Sequence, residues 1–239
     1  MLLRLPTSVS EARECLAEGA VPIGGATLLW AEWQRDGFPA LAMSLRGVPE
    51  AGALGRGTLG AAVVLHRIDG RVPDVLRLAA ASVGTGAVRR TATVGGNLVG
   101  STLRCLLPAA LVLEARASVL GPDGVREAEL SEVLAKRPLL LGLRWREPVA
   151  SAYRKLPADP GGRPPLTVSV ALHTGTPGRR LRVAVRDGYE VIDGEAPDGD
   201  APGTALRTLR GTALRGLPEA AWDAVDEQVE AVLRAADGG

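Results

Sequence analysis

Apolar positions in this chain alternate between helical and strand spacing. In "LPTSVSEARECLAEG", Val9, Ala12 and Leu16 fall on one stripe, the signature of an amphipathic helix. Ser8 or Ser10 is placed to cap its first amides, and Gly19 to stop it. "AVPI" reads as a short strand ending at Gly24, "LLWAEWQRDG" as a short helix and "ALAMSL" as the next strand. "TLGAAVVLHRI" predicts a buried strand. "VPDVLRLAAASVG" predicts a helix with Val75, Leu78, Ala79 and Ser82 on one face. "LRCLLPAALVLEARASVLG" opens as a helix with Pro108 in its first turn, where the missing N–H costs little, and closes as a strand. "PDG" is a turn, "REAELSEVL" reads as a short helix and "LLLGLRW" as a strand.

From "SAYRKL" onward the pattern changes. That segment, "LTVSVALHTG" and "RRLRVAVRDG" read as strands joined by Gly/Pro turns. "GTALRTLRGTAL" and "LPEAAWDAVDEQVEAVLRAA" follow as helices, the second with Ala221, Val225, Val229 and Val232 on one side. The stretches at 158–165 and 194–203 read as loops. This divides the chain into α/β units at 1–50 and 51–148 and an α+β unit at 149–239.

Composition narrows the classes. A formal net charge of +1 gives no broad attraction to nucleic acid or an anionic membrane, and 3% aromatics leaves little for base stacking. Two cysteines, Cys15 and Cys105, are too few for a zinc or iron–sulfur site within the chain. No run approaches the roughly 20 apolar residues of a membrane span. The expectation is a cytoplasmic protein with no nucleic-acid partner and no membrane insertion. His66 and His173 are the only histidines; neither clusters with Ser, Asp or Cys, which argues against a hydrolytic triad. His173 is expected at a strand end on the surface. Trp30 and Trp33 are expected in packing, with Trp30 near enough to "IGGATL" to touch an adenine.

Two glycine loops carry the candidate chemistry. "AVPIGGATLLW" places Gly24 and Gly25 between a strand and a helix, and "ATVGGNLVG" repeats that grammar about seventy residues later. Glycine at a strand exit permits positive φ and lets a ligand approach the backbone. Successive free N–H groups there cradle an anion such as a diphosphate. A turn that needs glycine for geometry alone has the same appearance. Neither loop is a GxGxxG fingerprint or a Walker loop. Arg89 and Arg90, ahead of the second loop, suit a phosphate, a partner or a solvated turn.

Taken in order, "LPTSVSEARECLAEGAVPIGGATLL", "LGAAVVLHRI", "VLRLAAASVGTGAVRRTATVGGNLV", "LLPAALVLEARASVL" and "AYRKL" resemble the FAD-binding (medium) subunit of the molybdenum hydroxylase family. That family includes the carbon monoxide dehydrogenase medium subunit and the xanthine dehydrogenase flavin domain. The resemblance implies an α+β fold: a two-part FAD-binding domain of the vanillyl-alcohol-oxidase/PCMH type, then a shortened α+β C-terminal domain with a small antiparallel sheet. It implies FAD as cofactor, with Ile23, Gly24, Gly25, Ala26, Thr27 and Leu28 as the first loop and Thr93, Gly95, Gly96 and Asn97 as the second. Lys155 falls near the flavin ring, and Cys105 takes the place of an aspartate that faces the ribityl chain. As partners it implies a molybdopterin-binding large subunit and a [2Fe–2S] small subunit, feeding electrons through FAD to an external acceptor.

The chain departs from that pattern. Val63 and Val64 replace a usual threonine pair, Cys105 replaces the aspartate, and "GSTLR" replaces the usual loop before it. A valine cannot donate to a phosphate, and a thiol is a poor hydrogen-bonding substitute for a carboxylate. Three functions follow: an FAD subunit with some contacts moved, a free-standing flavoprotein of a specialised pathway, or a binding or structural module on a degenerate flavin site.

Overall fold

In the computed structural model, residues 1–158, 161–175, 178–198 and 202–238 are described. The chain opens with β1 (Leu2–Arg4), α1 (Val9–Ala17), β2 (Val21–Ile23), α2 (Leu29–Asp36), β3 (Leu41–Ser44), α3 (Pro49–Gly52), β4 (Leu54–Gly55) and β5 (Thr58–Gly60). It continues through α4 (Asp74–Ala81), α5 (Gly86–Thr91), α6 (Leu107–Val112), β6 (Arg116–Gly121), β7 (Gly124–Ala128), α7 (Leu130–Lys136) and β8 (Leu139–Arg144). It ends with β9 (Ala150–Lys155), β10 (Thr167–His173), β11 (Arg180–Asp187), β12 (Glu190–Pro197), α8 (Pro202–Arg210) and α9 (Glu219–Asp237). Two compact units result. The first comprises Met1–Val72, Val83–Arg104 and Ala115–Trp145; the second comprises Pro73–Ser82, Cys105–Glu114 and the chain from Arg146 onward.

The first unit holds two sheets. One is three-stranded and parallel, in the order β1-β3-β2; the other is five-stranded and antiparallel, in the order β4-β5-β8-β6-β7. Ser8, not Ser10, caps α1: its hydroxyl accepts the Glu11 N–H at 3.2 Å, while the Glu11 carboxylate accepts the Thr7 N–H at 2.8 Å. That reciprocal arrangement satisfies donors at the helix start. Ala12 packs with Leu45, Val48, Ala51, Leu120 and Leu141 in one core cluster.

Two expectations about this unit fail for identifiable reasons. "TLGAAVVLHRI" is a strand only as far as Gly60. Beyond it the Ala61 N–H turns to Leu141 O and the Ala62 N–H to Ala51 O, so the apolar run is buried without continuing the ladder. "REAELSEVL" begins as the edge strand β7 and becomes helix only at Leu130. Gly124, at φ 114, turns the chain back onto β6, and the charges that imitate a helix face guard a sheet edge.

The second unit is a four-stranded antiparallel sheet, β12-β11-β10-β9, with helices on both faces. Val168, Val170 and Leu172 alternate onto the apolar face and pack with Val225, Val229 and Val232 of α9. The other face is polar, and it caps helices. The Ser151 hydroxyl accepts the Val75 N–H at the start of α4, at 3.3 Å. At the other end of α4 the Lys155 ammonium donates to Ser82 O at 2.9 Å, and the Tyr153 and Ser82 hydroxyls share a hydrogen bond of 2.8 Å. His173 is buried, not at the surface, with Nε2 2.7 Å from Val112 O in the last turn of α6. The buried residues of α4 are Val75, Leu76, Ala79 and Ala80, so its packed face is rotated from the one expected. β12 was not expected either. Residues 194–197 of the anticipated loop close that strand, whereas 159–160 and 199–201 lie outside the described residues.

Just after α6, the Glu114 carboxylate accepts from Arg180 at 2.8 Å and from Arg182 at 3.1 Å. Burial alone would push its carboxyl up. The Arg182 hydrogen bond and the charges of Arg180, His173 and Arg182 outweigh burial and hold it below the ordinary carboxylate range. A carboxyl lowered on folding stabilises the folded state above its unfolded pKa and loses that contribution as pH falls through the lowered value. Glu114→Gln is therefore expected to cost about 1 kcal/mol near neutral pH, where the pair is only partly screened, and to make the acid limb of stability shallower. Urea unfolding of both proteins near neutral pH and in acid checks this; parallel pH profiles would contradict it.

Candidate functional site

The first loop leaves β2 at Ile23 and enters α2 at Leu29. Its glycines answer to crowding. A Cβ on Gly24 would overlap Thr93 Oγ1, and one on Gly25 would overlap the Thr91 carbonyl. Gly25 therefore lies against the backbone at Thr91 and Ala92, and Gly24 against the Thr93 side chain. Neither glycine has positive φ; that conformation falls to Ala26, at φ 53. An alanine held there carries strain, of the kind structures tend to keep where a backbone must present itself in one orientation.

The loops differ in what their amides do. In the second, Thr93 bridges to Val64, and the Val94 N–H donates to Val63 O at 3.0 Å. The Gly95 N–H donates to Ala61 O at 2.9 Å, Gly96 N–H to Thr93 Oγ1 at 3.2 Å and Asn97 N–H to Thr93 O at 2.9 Å. Val63 and Val64 thus buttress the second loop through their backbone. Thr93 and Asn97 are buried. In the first loop no amide N–H from Gly24 to Leu28 reaches a backbone carbonyl among the described residues. Leu28, at the N-cap of α2, supplies no side-chain cap. The continuous run of bare amides belongs to the first loop.

A run of unengaged N–H groups at a helix N-terminus, with the positive end of the helix dipole behind it, is matched to a diphosphate. The first loop meets that requirement, and Thr27 beside it is exposed and carries a hydroxyl. Two residues named from the sequence lie in the other unit. Cys105 is half-buried with Sγ 3.3 Å from Arg186 Nη1, and Lys155 is exposed and bonded to Ser82 O at 2.9 Å. Arg89 holds the carbonyls of Val83 and Gly84, each at 2.9 Å, and is structural; Arg90 is exposed. Among the described residues no group of three or more His, Cys, Asp and Glu is placed to hold a metal ion, and no helix is long and apolar enough to cross a membrane. Sequence reasoning missed the strain at Ala26 and the uncapped start of α2. The second had a signal: Leu28 precedes the helix where a capping Ser, Asp or Asn is usual.

Two substitutions test this geometry. Gly25→Val drives a branched side chain into a backbone carbonyl and is expected to cost about 1–3 kcal/mol. Ala26→Gly relieves the left-handed strain and is expected to leave stability unchanged or to raise it by up to about 1 kcal/mol. Denaturant unfolding measures both; a stable Gly25→Val protein or a strongly destabilised Ala26→Gly protein would contradict the loop geometry.

Residues 3–142 match the family described as the FAD binding domain in molybdopterin dehydrogenase. Among solved structures, quinoline 2-oxidoreductase of Pseudomonas putida 86 is similar, with a TM-score of 0.70 at 20% identity over 99% of this chain and 96% of that one. Reconstituted CO dehydrogenase of Oligotropha carboxidovorans gives 0.70 at 18% identity, over 99% and 97% of the two chains. Carbon monoxide dehydrogenase of Hydrogenophaga pseudoflava, in a form lacking the Mo-pyranopterin moiety, gives 0.69 at 19%, over 99% and 96%. Identities this low establish a shared α+β fold. Comparison with the curated proteins finds no match. Because the family match spans more than half of the sequence, the chain belongs to the FAD-binding domain family of the molybdopterin dehydrogenases, and its cofactor is FAD.

Proposed function

We propose that this chain is the flavin subunit of a molybdenum-hydroxylase-type oxidoreductase, standing between iron–sulfur clusters on a partner chain and an external electron acceptor. The observation that carries the reading is the uninterrupted run of bare amides from Gly24 to Leu28, set at the N-terminus of α2 against the second glycine loop. Bound FAD would supply the redox chemistry; the protein supplies position, electrostatics and exclusion of water.

In this reading the first-loop amides and the α2 dipole hold the diphosphate charge. Gly24 and Gly25 leave room for the Thr93 side chain and the Thr91 carbonyl, so that the two loops can close. The buried Thr93 and Asn97 fix the second loop in a rigid form, and Val63 gives it a dry wall. Cys105 and Lys155 are the residues this reading assigns to the ribityl chain and the flavin ring. With only two cysteines, the chain draws its electrons from clusters on a [2Fe–2S] subunit, and organic substrate is oxidised on a molybdopterin-binding subunit.

FAD added to the purified chain is expected to bind once per chain and to give the visible bands of oxidised flavin. Gly25→Val, which closes the approach between loops, is expected to weaken that binding about 100-fold, equivalent to roughly 3 kcal/mol. A colourless protein that takes up no FAD, or a Gly25→Val variant that binds as the parent does, would defeat the reading. Affinity capture from cells tests the larger assembly: an iron–sulfur chain and a molybdopterin-sized chain are expected to accompany this one.

A further inference from the structure

α2 has no fully buried residue, with Leu29 and Trp33 half-buried and the rest exposed, yet it carries two of the chain's four tryptophans. Phe38, the only phenylalanine, packs against both. Its ring centroid lies 5.4 Å from that of Trp30, edge-on at 70°, and 5.9 Å from that of Trp33 at 58°. Trp30 is 53% exposed and Phe38 46%. In a chain with 3% aromatics, three at one surface point are a concentration that core packing does not explain.

Their position relates them to the first loop. Side chains in a helix lean toward its N-terminus and cover the turn before their own Cα. Trp30 sits in the first turn of α2, and its N–H donates to Ala26 O at 3.0 Å. That bond ties the Trp30 backbone to the bare-amide loop, and the tilt of its Cα–Cβ bond is toward the same end of the helix. Of the other charges on α2, Arg35 and Asp36 bond each other at 2.9 Å, and Glu32 is exposed in its first turn, so the patch offers an aromatic surface and no cation left over for the phosphates. In FAD the adenine is one ribose away from the diphosphate.

We propose that Trp30, braced by Phe38, is the platform on which the adenine of FAD stacks. The proposal rests on the placement of the diphosphate at the first loop. Stacking of a base on an aromatic side chain is worth about 1–3 kcal/mol by alanine substitution, which corresponds to roughly 10- to 100-fold in affinity.

The test titrates the full chain, its Trp30→Ala variant and its Trp30→Phe variant with FAD, with ADP and with FMN, which lacks the adenylate. Tryptophan fluorescence and flavin absorbance report binding, and circular dichroism reports folding. The expected result is that Trp30→Ala loses about 10- to 100-fold in affinity for FAD and for ADP alike, keeps the parent's behaviour toward FMN and stays folded, while Trp30→Phe recovers most of the loss. Unchanged FAD and ADP affinity in Trp30→Ala would overturn the proposal and leave the patch to a protein partner. An equal loss toward FMN would overturn it too, by placing the indole at the flavin ring. A parent chain that binds none of the three would remove the diphosphate assignment itself, and this proposal with it.

Discussion

Residues 24–25 have no room for side chains of their own against residues 91–93. That exclusion organises the first unit around its site. It requires glycine at both positions, because a Cβ on either would overlap Thr93 or the Thr91 carbonyl. It also ties a loop from the parallel sheet to a turn whose own amides are bonded to Ala61, Val63 and Thr93. The second loop is thereby stiff and chemically quiet. The first, pressed against it, is left with its amides facing no carbonyl. One loop braces and the other presents.

A comparable economy governs the second unit. A sheet buried on both faces would ordinarily be apolar on both. Here one face is polar because it ends helices. Ser151 and Lys155 meet the two ends of α4, and His173 meets the last turn of α6. Helix termini leave backbone groups without partners, and a buried terminus must find them elsewhere. Ser151 and Lys155 of β9 and His173 of β10 are such partners, and the ion pairs of Glu114 with Arg180 and Arg182 extend the same face.

These contacts explain what was legible in the sequence. The glycine loops stood out because the same Gly-Gly grammar recurs about seventy residues on, and α1 and α9 because of their apolar stripes. The strain at Ala26 was not legible, since the ordinary rule assigns positive φ to glycine and the glycines here serve close approach instead. β7 and β12 were missed because edge strands carry charge, and charge reads locally as helix or loop. His173 was misplaced because its burial depends on α6, which is 61 residues away in the chain. Local pattern records propensity and period; it does not record which distant carbonyl a side chain will meet.

The central claim is that the amides of Gly24 to Leu28 wait for the diphosphate. Amide hydrogen exchange of the peptide spanning Val21 to Leu29, followed by mass spectrometry with and without FAD, measures this directly. The account predicts fast exchange at these amides in the free chain and strong protection when FAD is present, with little change at 94–97, whose amides are already bonded. Exchange from 24 to 28 that is slow without FAD, or unaltered by it, would contradict the account.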